Sequence, residues 1–457
     1  MDRIKAYFES IINKKVAFCG LGITNIPLIR QFANKGISVI ACDKTPFENL
    51  DDEAKALAKL GVEFRTGGDY LENLDADIIF RTPGMYYNSK ELMQYREKGV
   101  LVTSEMEVFF SLCPAKTIAV TGSDGKTTTA TLIFEMLLKQ GYNVFLGGNI
   151  GTPLLPTIEK MTENDFAVVE LSSFQLISMK PCPDIAVITN ISPNHLDVHS
   201  SMEEYVDAKK NIFMFQKPNS KTVLNADDPI VSEIKNETKG VAIFFSRIKE
   251  QENGSFCDVN GDIFLCGEKI INKSEIILIG DHNVSNYITA IAAVQGLVEP
   301  GVMRDVARTF KGIEHRIEFV REVNGVKYYN HSIATSPQRT IAGLKAFSQK
   351  IILIAGGSDK NLSYDPLAPY IIDKVKILIL TGATADKIEN AVKNHTEYKE
   401  NKPGIIKASD MQMAVLKAHE KAEAGDIVSL SPASASFDSY KNFEYRGRHF
   451  KDIVMRI

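Results

Sequence analysis

Short runs of consecutive apolar residues alternate along the chain with longer stretches in which apolar residues recur every three or four positions. In the first hundred residues "KVAFCGLG", "ISVIACD" and "DIIFRTPG" read as buried strands, the first of them leading into a helix. The middle third repeats the theme in "KTIAVTGSDGKTTTATLIFEML", "FAVVELSS" and "IAVITNI", and the last third in "KIILIAGGS", "KILILTG" and "DIVSLSPAS". Strands separated by helical patterns predict an α/β protein with mostly parallel sheets. A chain of 457 residues is too long for one hydrophobic core. The rhythm predicts three domains over residues 1–105, 106–312 and 313–457, with no internal repeat or low-complexity tract.

The most informative turn is "TGSDGKTTT", residues 121–129. It follows a buried-strand run and precedes a helical pattern, so the loop sits at a helix N-terminus, where free N–H groups and the helix dipole favour an anion. The common phosphate loop places four residues between its glycines; here only Ser123 and Asp124 separate Gly122 from Gly125. The two glycines permit close backbone approach, Lys126 can reach terminal phosphates, and Thr127 offers a hydroxyl to Mg²⁺. Ser123, Asp124, Thr128 and Thr129 complete the candidate ATP cradle. The competing reading is a glycine turn that caps a helix.

Composition narrows the partners. The net charge is −4 and 24% of residues are charged, which predicts no basic face for nucleic acid. The six cysteines are scattered without a C-x-x-C pair and read as small buried hydrophobes in a reducing compartment. No apolar h-region opens the chain, and runs such as "IILIA" fall far short of a membrane span. The expectation is a cytoplasmic monomer acting on small molecules.

"VVELSSFQL" puts Glu170 at the end of a buried strand, where a lone carboxylate is costly unless paired or metal-bound. "TNISPNHLDVHSSMEEYVDAKKN" then places His195, Asp197 and His199 within five residues, with Lys209 on the following helix. By composition alone the H-x-D-x-H cluster suits either a metallohydrolase or a solvated loop, and Lys209 reads as a surface lysine.

The shortened phosphate loop resembles that of the Mur ligase family, which includes the folylpolyglutamate synthetases and uses ATP to join an amino acid to a carboxylate. The chain is similar to that family at the Glu of E-L-S-S-F-Q-L, the His of N-x-x-x-x-H-x-D and the Lys of Y-x-x-A-K. The resemblance implies a Rossmann-like first domain, a central phosphate-loop domain and a Rossmann-like third domain. It implies Lys126, Glu170, His195 and Lys209 as the catalytic set. Thr127, Glu170 and His195 would hold Mg²⁺, and a carbamylated Lys209 would support a second Mg²⁺. "DHNVSNYITAIAAV" resembles the family helix that brings Asn286 near the nucleotide, and Arg316 of "GIEHRIEFV" would reach the phosphates.

The two ends resemble the branch of the family that adds D-glutamate to UDP-N-acetylmuramoyl-L-alanine. "CGLGITN", with Asp43 ending the second strand, looks like a dinucleotide fingerprint, but Asn25 replaces the third glycine and argues against NAD. By resemblance Ile23, Thr24, Asp43, Thr82 and Gly84 would seat UDP, and Asn149 of "GGNIG" would contact the sugar. "LSPASASFDSYKNFEYRG" (430–447) is similar to that branch over its whole length; Ser436 and Phe443 would shape the D-glutamate pocket, with Thr335 and Lys360 beside them. The implied reaction passes through an acyl phosphate and yields ADP and phosphate. Where the family has N-D-S-K-A-T, the chain reads "NHSIAT", so His331 stands where an Asp would meet the ATP ribose and Ile333 where a Lys would be. Histidine cannot supply a bidentate carboxylate, which predicts weakened ATP binding. The alternatives are an L-alanine-adding member of the family and a non-catalytic nucleotide-binding paralogue.

Overall fold

A computed structural model describes residues 3–193 and 198–457 of the chain. The backbone divides into two compact units, one of Met1–Ser274 with Ser285–Val306, the other of Glu275–Val284 with Ala307–Ile457. The described residues form three sheets with helices between the strands, the mixed and mostly parallel α/β architecture that the sequence predicts.

The first unit carries two sheets. In the five-stranded one the order is Glu63–Thr66, Ser38–Asp43, Lys15–Cys19, Ile78–Arg81, Leu101–Thr103, with every neighbouring pair parallel. The order reverses between Lys15–Cys19 and Ile78–Arg81, and such a switch opens a crevice at the carboxyl ends of the two strands. The nine-stranded sheet runs Glu268–Asn272, Asp262–Leu265, Gly254–Cys257, Val241–Ser246, Lys221–Asn225, Ile185–Ile188, Lys116–Thr121, Phe166–Glu170, Val144–Gly148. Its central strands are buried along nearly their whole length and apolar in their middles, as strands covered on both faces require.

The second unit holds the third sheet, in the order Glu318–Val323, Val326–Asn330, Ile427–Leu430, Ile351–Ala355, Val375–Leu380, Gly404–Lys407. Only its first pair is antiparallel. That hairpin turns on Asn324 (φ 51°) and Gly325 (φ 78°), the Asn-Gly pair that a type I′ turn requires. Antiparallel strands also close the far edge of the nine-stranded sheet. The parallel rhythm of the sequence did not include these hairpins.

Candidate active site

The phosphate loop emerges from Lys116–Thr121, which lies between Ile185–Ile188 and Phe166–Glu170, so it opens at the switch point of the large sheet. Gly122 (φ 147°) and Gly125 (φ 80°) occupy backbone conformations that other residues avoid. A side chain at 122 would run into Thr189 Oγ1, and one at 125 into Asn286 Oδ1. The loop is held from below. Ser123 N–H donates to Asn190 O (2.9 Å), Asp124 N–H to Asn190 Oδ1 (2.9 Å), and Thr189 Oγ1 to Asp124 O (2.6 Å). Ser123 Oγ donates to Ser192 O and lies 2.9 Å from Tyr205 Oη, so this hydroxyl shapes the loop. Gly125 starts the helix Lys126–Gln140 with no side-chain cap, which leaves first-turn N–H groups for an incoming anion. Lys126 Nζ donates to the carbonyls of Gly122 (2.9 Å) and Ser123 (2.8 Å). Thr127 and Thr128 are half-buried, and buried Thr129 donates to Asn286 Oδ1 (3.5 Å).

Glu170 ends the neighbouring strand and is buried. Asn149 Nδ2 donates to Glu170 Oε1 (2.8 Å), whereas buried Oε2 has no hydrogen-bond partner. Desolvating an ionised oxygen without a partner is costly, so the orphaned Oε2 fits a divalent cation. Lys209 lies on Met202–Lys210, whose first turn is capped by Ser201. Tyr205 and Lys209 are one turn apart on the face turned inward. Lys209 is therefore buried; its Nζ donates to Gly122 O (2.8 Å) and sits 4.6 Å from the Tyr205 ring centroid. Burial, with the nearby Lys126 cation, pushes its pKa down to about 7, against the opposite pull of Asp124 and Glu170. His195 and Asp197 lie outside the described residues. His199 is buried: its Nε2 is 2.8 Å from Ser173 Oγ and its ring stacks on Phe174. Among the described residues no three His, Cys, Asp or Glu side chains converge as a metal cluster.

At the crevice of the first sheet, Asp43 accepts from the N–H groups of Leu21 (2.7 Å) and Thr45 (2.8 Å). Burial alone would raise its pKa, but these donors outweigh it and hold the carboxyl below the usual range. Asn25 Nδ2 donates to Cys19 O (3.1 Å) and Gly20 O (2.9 Å). The residue that breaks the fingerprint thus ties off the strand end. Thr82 packs against Gly20, leaving no space there for a Cβ, Gly84 is exposed, and Thr24 and exposed Ile23 stand at the rim.

In the second unit His331 and Thr335 follow the strand Val326–Asn330, Lys360 follows Ile351–Ala355, and Ser436 and Phe443 follow Ile427–Leu430, three neighbouring strands of one sheet, with Arg316 exposed in the loop before the hairpin. His331 is buried, with Nδ1 3.3 Å from Ser431 Oγ. Burial foremost, then Arg316 and Arg339, pushes its pKa down to about 3, so the imidazole is neutral. The 430–447 segment is pinned by buried Arg446, which donates to Ser332 O (2.9 Å), Ser332 Oγ (3.0 Å), Ser434 O (3.1 Å) and Ala435 O (2.9 Å).

Residues 120–294 match the Mur ligase middle domain and residues 315–434 the Mur ligase glutamate ligase domain. The chain is 50% identical to the UDP-N-acetylmuramoylalanine–D-glutamate ligase of Acetivibrio thermocellus, covering 100% of this chain and 99% of that protein. The chain belongs to the Mur ligase family. A second ligase of the same name, from Ruminiclostridium cellulolyticum, is 49% identical over 99% of each chain. The fold is also that of UDP-N-acetylmuramate-alanine ligase from Thermotoga maritima (TM-score 0.57, 16% identity, 97% of this chain and 99% of that one).

As a Mur ligase this protein is an enzyme, and its family depends on ATP and uses Mg²⁺. Among the described residues no helix is long and apolar enough to cross a membrane. Several residues that hold this site together carry no catalytic motif that marks them in the sequence. Thr189 and Asn190 carry the phosphate loop from the next strand. Ser172 and Gln175 form a capping box just after Glu170, a signal legible in "SSFQ" by its Ser-x-x-Gln spacing. Tyr205 and Arg81 gave no local signal, because their partners are distant in sequence.

Proposed function

We propose that the protein is the ATP-dependent ligase that adds D-glutamate to UDP-N-acetylmuramoyl-L-alanine, in the synthesis of peptidoglycan precursors. The observation that carries this reading is the 50% identity to the Acetivibrio thermocellus ligase, which extends over the whole chain. The geometry supports it: an anion-binding loop and a buried carboxylate leave the carboxyl ends of two neighbouring interior strands, and a buried lysine bonds to that loop.

A carboxylate and an amine do not condense in water, so the acid needs a leaving group. The alanyl carboxylate takes the γ-phosphoryl group of ATP, forming an acyl phosphate and ADP. The D-glutamate amine then attacks that carbonyl, phosphate leaves and the amide remains. The chain's own part is to position and to neutralise. Lys126, at the start of the helix, would turn from the Gly122 and Ser123 carbonyls to the terminal phosphates. The backbone N–H groups of Lys126 to Thr129 and the side chains of Asn286 and Arg316 would hold the nucleotide, with His331 near the ribose. Thr127, Glu170 and His195 would hold Mg²⁺, with Lys209 supporting a second ion; bound there, the cations offset charge on the reacting oxygens.

A carbamylated Lys209 belongs to the same reading. Only the neutral amine attacks CO₂, forming an N–C bond and losing a proton, and a pKa near 7 keeps that form populated. The resulting anion would suit a place where a cation also meets the partnerless Glu170 Oε2. Asp43, Ile23, Thr24, Thr82 and Gly84 would seat the UDP end and Asn149 the sugar. Thr335, Lys360, Ser436 and Phe443 would receive D-glutamate. Sites on each of the three sheets favour the division into three domains, acting as one monomer in the cytoplasm.

Phosphate release from ATP with UDP-N-acetylmuramoyl-L-alanine tests the proposal, comparing D-glutamate, L-glutamate and L-alanine. Release with D-glutamate alone is expected. Release with L-alanine alone, or with none of the three, overturns it.

A further inference from the structure

Arg81 closes the strand Ile78–Arg81 at the switch point of the first sheet, one residue before Thr82, yet its side chain is buried and serves the second sheet. Its Nη2 donates to Phe174 O (3.0 Å) and Ser178 Oγ (2.8 Å), its Nη1 to Met85 O (3.4 Å), and the guanidinium lies 5.4 Å from the Tyr87 ring centroid. These acceptors are all neutral, and the carboxylate whose charge acts on the guanidinium is Glu107, which also meets Ser178. Burial works against the cation and Glu107 for it, while three directed hydrogen bonds use the planar fork of the guanidinium, a geometry lysine lacks.

The turn that Arg81 grips follows Glu170 by a few residues. Phe174 stacks on His199, with ring centroids 5.0 Å apart and planes 6° from parallel, and Ser173 Oγ is 2.8 Å from His199 Nε2. On its other side His199 meets the Tyr205 ring edge-on at 5.3 Å. Tyr205 in turn touches Ser123 of the phosphate loop (2.9 Å) and faces Lys209 Nζ (4.6 Å). A second tie runs alongside. Tyr86 Oη donates to Glu204 Oε1 (2.5 Å) on the Lys209 helix, and Ser200 N–H donates to Glu204 Oε2 (2.7 Å).

We propose that Arg81 is a positioning residue for phosphoryl transfer. It clamps the Ser172–Ser178 turn so that Phe174, His199 and Tyr205 hold the phosphate loop and the Lys209 helix in register with the substrate crevice. The kinetic arm of its test rests on the ligase reading above; the exchange arm does not. Placement errors of an ångström cost catalysis far more than binding. In Arg81→Met, kcat for phosphate release should fall at least ~10-fold while the KM for ATP changes less than about twofold. Arg81→Lys should not restore kcat, because lysine has no fork. Combining Arg81→Met with His199→Phe should cost little more than one change alone, since both act through one network. Hydrogen exchange on Arg81→Met should show lost protection over residues 200–209. If Arg81→Met does not fold, Ser178→Ala takes its place and should show the same signs to a smaller degree. A wild-type kcat in the folded variant, multiplicative losses in the double variant, or unchanged exchange over 200–209 would overturn the proposal. An unaltered protein inactive with D-glutamate would overturn the ligase reading instead, leaving the exchange result to decide this one.

Discussion

Gly343 makes room for the imidazole of His331: a Cβ on residue 343 would lie 2.5 Å from Nδ1 and 2.7 Å from Cε1 of that ring. Gly343 sits inside the helix Pro337–Lys345, where glycine costs about 1 kcal/mol relative to alanine. That helix therefore tolerates a poor helix former to make room for a side chain from the loop just before it, the histidine that stands where the family has an Asp. Gly343→Ala should destabilise the protein by roughly 1–3 kcal/mol through overpacking. With His331→Ala in place, the same change should be neutral or stabilising. Denaturant unfolding of the four proteins measures the coupling, and equal effects in both backgrounds would mean the ring does not need the space.

The same histidine gives a pH signature. Its pKa is pushed down to about 3 in the folded protein, mainly by burial, from an ordinary value of 6.5. Between those values the unfolded chain binds more protons than the folded one, so folding stability contributed by neutral His331 is lost as pH falls through that window. The stability difference between the unaltered protein and His331→Asn should shrink from pH ~6.5 downwards. A pH-independent difference would contradict a neutral buried imidazole.

A neutral imidazole also cannot offer the carboxylate expected at the ribose. His331→Asp should lower the KM for ATP, the gain of a charged hydrogen bond being worth roughly 1–3 kcal/mol. Equal KM values for the two proteins would remove residue 331 from nucleotide binding.

Lys126 and Lys209 share the Gly122 carbonyl but have different expected fates. Lys126→Ala should abolish turnover, as the terminal phosphates lose their mobile cation, and substantial ligation by that variant would take the loop out of the mechanism. Lys209 reacts with CO₂ only as a neutral amine, a form that declines below its pKa of about 7. In CO₂-stripped buffer, activity should drop and return on adding bicarbonate at pH ~8, but return poorly at pH ~6. A carbamate carbon from ¹³C-bicarbonate, absent in Lys209→Met, is the accompanying spectroscopic check.

Much of this was legible in the chain. The parallel α/β rhythm followed from strands that must be apolar on both faces, and the phosphate loop from two glycines, a lysine and a helix start, all features of local backbone chemistry. The similarity of residues 430–447 to the D-glutamate-adding branch was visible for the same reason, as an ordered run. Other properties depend on what packs where. Lys209 reads as a surface lysine in sequence but is buried on Gly122 in the fold, and Asn25 mars a fingerprint yet holds the strand end together. Arg81 has no local motif, and the two acceptors that tie it to the second sheet, Phe174 and Ser178, lie 93 and 97 residues away. Desolvation and long-range hydrogen bonds arise only when distant segments meet, so burial, shifted proton affinities and the Arg81 clamp belong to the tertiary structure alone.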